Sequence, residues 1–444
     1  MRRPFEPLIP ILGCEAPSES LCWGYQVPPG PLFMKHLPTV ALLALLTSSL
    51  PAQDPGAQQV SSTLSGGWST SLEDSFPPAP PASQGVSAGA LARLSELITG
   101  FVEADEIVGA ELLIIKNRRT VMHEVFGHDD RIRERLLEKN TIFSIRSMTK
   151  PLAGAAAQLL IDEGALELTD PVAKHLEAFD NDKSRSVTVE HLLTHRSGLP
   201  MQSAGPLWSD YSSYSSIQQV ADYWGAYGPQ LFTPGERYQY ADANVDTLGA
   251  VIGAVAGVPA EALIERRLLA ALGMRDTIPL LRDGDPRVER VACKHAGGRG
   301  RWRQYWCWGG APYFSFPMFA QGFYSTPADY ARFLAMVMDG GVVDGERLLS
   351  EAAIGRMLTP ASTTTMPTGF AGLRSSYGQL MHLYDEEGEV VAFGHSGSDG
   401  TYAWAWPARD LMVLYFTQSR GSTTMSRMEA VIDSLIARPV PEDE

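Results

Sequence analysis

Ser147-Met148-Thr149-Lys150 places a hydroxyl and an amine three residues apart at the start of an apolar stretch. Residues three apart on a helix share a face, so the Lys150 amine falls beside the Ser147 hydroxyl. A serine hydroxyl is a weak nucleophile at its free pKa and needs an adjacent base; this spacing supplies one without a histidine. Lys35, Lys116, Lys139, Lys150, Lys174, Lys183 and Lys294 are the only lysines, and Lys150 alone has a serine three positions earlier. S-x-x-K by itself also occurs on ordinary surface helices, so its meaning depends on what accompanies it. After the Pro234-Gly235 turn, Tyr240 offers a phenol, whose pKa a nearby lysine ammonium should lower. Such a tyrosine takes the Ser147 proton and later returns it to the leaving group. In Gly394-His395-Ser396-Gly397-Ser398, Gly397 permits close backbone approach, and the Ser398 N–H can pair with that of Ser147 as an oxyanion hole.

The elements that must carry these residues follow from periodicity. Ala90 to Val102 has helical apolar spacing, and 110–116 and 120–126 read as a strand pair around Asn117-Arg118. A short strand, 141–145, leads into the Ser147 helix, which runs to Gly164 with Pro151 tolerated in its first turn. From about 165 to 320 helices and long loops dominate, with 187–194 and 244–255 the clearest helices. Extended structure returns at 323–326, a helix follows at 327–338, then strands at 390–393, 402–406 and 411–416, and a closing helix from 422 to 437. Strands at both ends of a helical middle predict an α+β fold: an antiparallel sheet built from both termini, flanked by helices, with a mainly helical insertion.

Taken in order, S-M-T-K, H-L-L-T-H-R-S-G-L-P (His191 to Pro200), P-G-E-R-x-x-Y, Y-S-T-P-A-D-Y (Tyr324 to Tyr330) and G-H-S-G resemble the serine β-lactamase and penicillin-binding superfamily. The branch most resembled is that of class C β-lactamases and family VIII carboxylesterases, over residues 88–437. The resemblance implies a β-lactamase/transpeptidase-like fold, no cofactor and no metal. It makes Ser147 the acylated nucleophile, Lys150 its base partner and Tyr240 the tyrosine of Y-x-N. His395-Ser396-Gly397 then stands at the K-T-G or H-x-G strand.

Two departures bear on substrate. Y-x-N is Tyr240-Ala241-Asp242, and no lysine follows Lys294, so His395 replaces the K-T-G cation. Asp242, His395 and Gly397 are therefore the expected substrate-binding positions, although Asp242 reads equally as a helix N-cap and His395 also as a structural histidine. A carboxylate added and a cation removed disfavour anionic substrates. A serine esterase acting on small neutral esters is the leading expectation. A β-lactamase or D-amino acid peptidase or amidase of the same fold is the alternative enzyme, and a catalytically inactive relative that binds a ligand or partner is the alternative of another class.

A chain of 444 residues that is 44% hydrophobic can bury a large core, and a net charge of −15 without a basic stripe argues against nucleic acid. Residues 1–53 read as a leader region, with 34–52 in the charged, apolar, small-residue order of a signal peptide, too short to span a membrane. That predicts an exported protein, periplasmic or extracellular, with no transmembrane span once mature. Ile11-Leu12-Gly13-Cys14 offers a competing lipoprotein reading, broken by Pro10. Residues 54–87 read as a Pro/Ser/Gly-rich linker. Export would permit a Cys293–Cys307 disulfide, and two free thiols are the alternative. Oligomeric state is not legible.

Four further patterns carry less. His191 and His195, at i and i+4, lack a third metal ligand. His123-Glu124-Val125-Phe126-Gly127-His128 is one residue too long for H-E-x-x-H. Ser209-Asp210-Tyr211 lacks the asparagine of S-D-N. The aromatics between Trp302 and Phe319 suit either loop packing or a pocket wall.

Overall fold

A computed structural model describes residues 71–201, 214–309, 313–364, 370, 372–432 and 436. The leader, the first part of the expected linker (54–70) and the Ser209 motif lie outside the described residues.

The expected linker is corrected in its second half. Helix α1 (Leu72–Ser75) is capped by Ser71. Phe76 is buried against the main core, and the Ala79 N–H bonds to the Thr120 carbonyl. A Pro-rich composition hid one large apolar anchor.

Helix α2 (Ala88–Glu103) packs its apolar stripe, Leu91, Leu94, Ile98 and Phe101, beneath the sheet. Strands β1 (Gly109–Lys116) and β2 (Arg119–Asp130) form the expected hairpin. Its turn residues Asn117 and Arg118 both have positive φ, 51° and 57°, the backbone that matches strand twist. Two short strands follow, β3 (Arg135–Leu136) on the sheet edge and β4 (Phe143–Ser144) leading to the Ser147 segment. Helix α3 (Thr149–Asp162) is buried from Thr149 to Leu160, which explains its Ala- and Gly-rich sequence. Short α4 (Val189–Leu193), α5 (Ile217–Tyr227), α6 (Asp242–Ala256) and α7 (Ala260–Leu263) make up the helical middle.

That middle is not purely helical. Strands β5 (Lys294–Ala296) and β6 (Arg303–Trp306) pair as a hairpin before β7 (Tyr324–Ser325). A disulfide joins Cys293 to Cys307 across that hairpin, deciding the open alternative. After α8 (Pro327–Met338) come the β8 (Val342–Val343) and β9 (Glu346–Arg347) hairpin and α9 (Glu351–Leu358). The C-terminal strands are β10 (Ser362–Thr363), β11 (Arg374–Tyr377), β12 (His382–Glu386), β13 (Glu389–Ser396), β14 (Tyr402–Trp406), β15 (Leu411–Thr417) and β16 (Ser419–Arg420). Helix α10 (Thr424–Ile432) closes the described fold.

Nine strands form one antiparallel sheet in the order β10-β11-β12-β13-β14-β15-β1-β2-β3. Strand alternation sends Leu113 and Ile115 of β1 into the core shared with α3 and α8. Leu112 and Ile114 go into the opposite core with α2 and α10. Both faces of β1 are covered, so its sequence is apolar without alternation. Strand β16 pairs with β5, so the insertion rejoins the C-terminal end. Among the described residues no single helix is long and apolar enough to cross a membrane.

Candidate active site

Four segments meet above the sheet. A one-turn 3-10 segment, Arg146–Met148, leads directly into α3, so Ser147 sits at the mouth of a buried helix and Lys150 one turn inside it. The Lys150 amine is fully buried. It donates to Ser147 Oγ at 3.1 Å, Asp242 Oδ1 at 2.8 Å and the Ala320 carbonyl at 2.7 Å. These three acceptors, with the Tyr240 hydroxyl also in reach, surround the ammonium. Burial alone would lower its pKa, but Asp242 and then Tyr240 outweigh burial and raise it to about 12. Lys150 rests as a cation.

Asp242 is the first residue of α6. The N-cap is Ala241, whose side chain cannot cap, so the N-cap reading of Asp242 is set aside. Its carboxylate turns to Lys150 instead, at the helix end that favours an anion. One turn on, Asp246 accepts from the Ala320 N–H at 2.9 Å. The peptide at Ala320 thus touches Lys150 with its carbonyl and Asp246 with its N–H. Burial, and next the charge of Asp242, push the Asp246 pKa up to about 7.

Tyr240 is half-buried, with its ring 4.7 Å from the Lys150 amine and its hydroxyl in hydrogen-bonding relation to both Ser147 and Lys150. The expected lowering of its pKa is reversed. Burial dominates and Asp242 adds to it, so the phenol is raised above 10 despite Lys150. Sequence reasoning weighed one charge and missed desolvation.

His395 lies near the end of β13, and both its nitrogens are occupied. Nδ1 sits 2.8 Å from the Ser396 carbonyl and must donate; Nε2, 3.0 Å from the Tyr377 hydroxyl, therefore accepts. Burial, with Lys150 adding to it, drives its pKa well below 6.5. The imidazole is neutral and both its nitrogens are engaged within the protein, so in the cavity it presents its ring and no free donor. At Gly397, a Cβ would lie 2.3 Å from Thr401 Oγ1 and 2.4 Å from the Ile145 carbonyl. Only glycine lets this strand end lie against the chain entering Ser147.

A cavity of about 270 Å³ opens here, lined by Ser147, Tyr240, His395, Ser396, Gly397 and Ser398, with Ser419, Gly421, Ser422 and Met425 among its walls. Among the described residues that line the cavity there is no lysine or arginine; Lys150 lies buried behind Ser147. Ser147, Tyr240, His395, Gly397 and Ser398 line the cavity, and Lys150 with Asp242 is bonded behind Ser147. Arg146, Asp246, Ala320, Tyr377 and Asp399 were missed: their roles arise from long-range contacts with no local spacing signal. The decoys disperse. His191 closes the α4 capping box, whereas His195 accepts from Ala241 N and Asn244 Nδ2. His123 pairs with Glu111 within the sheet. Among the described residues, the one cluster with metal-ligand spacing is Asp130 with Cys293 and Cys307, whose thiols are oxidised to the disulfide.

The family model for beta-lactamase matches residues 94–437. Among relatives, the chain is 29% identical over 354 residues to Protein Rv1367c of Mycobacterium tuberculosis, covering 71% of this chain and 87% of that one. It is 29% identical over 208 residues to Esterase EstB of Burkholderia gladioli, covering 43% and 52%. Among solved structures, EstCE1, a hydrolase with promiscuous acyltransferase activity, superposes with a TM-score of 0.67 at 19% identity, covering 80% of this chain and all of that one. The fold is therefore the β-lactamase/transpeptidase-like one, and with the family match extending over the Ser147 to Ser398 segments, the chain belongs to the beta-lactamase family of serine hydrolases.

Proposed function

We propose that this hydrolase is an esterase acting on small neutral esters through an acyl-Ser147 intermediate. The observation that carries the reading is the Lys150–Asp242 ion pair at 2.8 Å. It neutralises the cation bonded to Ser147, beside a cavity in which no lysine or arginine is among the described lining residues. An anionic β-lactam would find no counter-charge there, whereas a neutral ester needs none. The name of Esterase EstB supports the same substrate class.

The geometry suggests how the protons move. Lys150, already an ammonium, can accept the Ser147 proton only by releasing one, which it passes to the Tyr240 hydroxyl as that phenol gives up its own. Ser147 Oγ then bonds to the ester carbonyl carbon, and the new oxyanion lies between the Ser147 and Ser398 N–H groups. The carbon–alkoxide bond breaks as Tyr240, a phenol by its raised pKa, protonates the leaving alcohol. Lys150 and Tyr240 are thereby restored as ammonium and phenol, and Asp242 stays the counter-charge of Lys150. Water repeats the sequence on the acyl-enzyme. Tyr240 thus acts first as an acid, not as the base expected from the sequence.

The test is a panel of short-chain nitrophenyl esters, a chromogenic cephalosporin and D-amino acid amides, with intact mass after trapping. Esters should be turned over fastest, with one acyl adduct on wild type and none on Ser147→Ala. An adduct elsewhere, or faster cephalosporin turnover, overturns the reading. We further propose export directed by residues 34–52, consistent with a Cys293–Cys307 disulfide; N-terminal sequencing of secreted protein checks it.

A further inference from the structure

Arg146, the residue before Ser147, holds a left-handed backbone with φ 46°, a conformation that a non-glycine residue keeps only when its surroundings impose it. The surroundings are a closed triangle. Arg146 Nε donates to Asp399 Oδ2 at 2.7 Å, and Nη2 donates to the Tyr305 hydroxyl at 2.9 Å. That hydroxyl donates to Asp399 Oδ1 at 3.0 Å. Arg146 and Asp399 are both 1% exposed or less.

The placement of the two charges is what matters. Arg146 precedes Ser147, and Asp399 follows Ser398. Each residue proposed to give an oxyanion N–H is therefore chained to one half of a single buried ion pair. Asp399 is anchored further: its carbonyl accepts from the Ser419 N–H at 2.8 Å, and Arg420 stands 3.6 Å from its carboxylate. Tyr313 covers the Arg146 guanidinium at 4.9 Å. Tyr305 arrives on the β5–β6 hairpin that the disulfide staples. A buried ion pair adds little net stability over apolar packing, but it fixes the mutual position of the groups that bear it.

We propose that the Arg146–Asp399–Tyr305 triangle is a clamp that sets the separation and aim of the Ser147 and Ser398 N–H groups. These are positioning residues for the oxyanion, and the inference rests on Ser147 being the nucleophile. The step they serve adds Ser147 Oγ to the carbonyl carbon, with the carbonyl π electrons passing to the oxygen held between the two N–H groups.

Replacing the carbonyl oxygen by sulfur gives a readout that a merely structural role would not move, because sulfur is a poor acceptor and draws little from the hole. Nitrophenyl butyrate and its thiono analogue are compared in wild type, Asp399→Asn, Arg146→Lys and Tyr305→Phe. The clamp predicts that kcat for the oxo ester falls about ten- to a hundredfold in Asp399→Asn and Arg146→Lys. Thiono rates and KM should change far less, so the oxo-to-thiono ratio collapses. Tyr305→Phe, which removes one hydroxyl and keeps the ring, should show a smaller drop of the same kind even if the charge variants misfold. Oxo and thiono rates falling together would overturn the clamp. If wild type hydrolyses no ester, the esterase reading fails separately. The clamp is then judged by fluorophosphonate labelling of Ser147, whose phosphoryl oxygen needs the same donors. Slower labelling in Tyr305→Phe supports it, and equal rates overturn it.

Discussion

At the scale of single residues, the Y-x-N departure carries the most consequence. Asp242→Asn removes a charge without changing shape and leaves Lys150 buried without its main partner, so the amine pKa should fall. The ratio of kcat/KM for a neutral ester over a cephalosporin should narrow by about ten- to a hundredfold, the worth of one charge in a partly dry site. The variant's ester rate should also climb with pH as the amine loses its proton. An unchanged ratio would remove the electrostatic reason for preferring esters. Asp246 gives a stability test with a definite sign. Its folded pKa, about 7, lies above the ordinary 3.8, so the folded chain holds a proton that the unfolded chain has released. Stability should therefore fall as pH rises from about 4 to 7. Asp246→Asn, which never ionises, should escape that loss and gain on the order of 2–4 kcal/mol over wild type between pH 5 and 8. Urea unfolding of both proteins at the two pH values measures it. That Ser147, Lys150 and Tyr240 come together was legible, because the proposed chemistry ties their types and order. The phenol's protonation state was not, since burial decides it and a sequence displays charge more plainly than depth.

At the scale of elements, Gly397 is where β13 and the Ser147 turn touch. Gly397→Ala would place a methyl against the Ile145 carbonyl at 2.4 Å. Pushing the strand end off the nucleophile segment should cost about a hundredfold in kcat, with a smaller effect on KM. Steady-state kinetics beside a thermal melt separates this from unfolding. Periodicity found the strands whose residues are apolar, such as β1 and β15, and the helices α2, α6 and α8. It missed β11 and β12, where Ser375, Ser376, His382 and Asp385 are buried but satisfied by one another. A polar network packed between layers has the composition of a loop. The β5–β6 hairpin escaped for a related reason: its strands are short, polar at the edge and held by the disulfide and β16.

At the scale of the whole molecule, the segment before α2 belongs to the fold. Phe76→Ala should destabilise the protein by about 3–5 kcal/mol, the cost of emptying a large aromatic site, while Ser147 labelling at low temperature stays unchanged. Denaturant midpoints beside fluorophosphonate labelling check both halves of that statement. The sheet order has a temporal consequence. Strand β1 lies between β2 and β15, and Arg146 meets Asp399 across 253 positions. A ribosome that has delivered Ser147, Lys150 and Tyr240 has still not delivered the strand end that completes the proposed oxyanion hole. On the mechanism proposed above, the growing polypeptide therefore carries its hydroxyl without the means to stabilise an oxyanion until the last strands emerge, and it should be silent throughout its own synthesis.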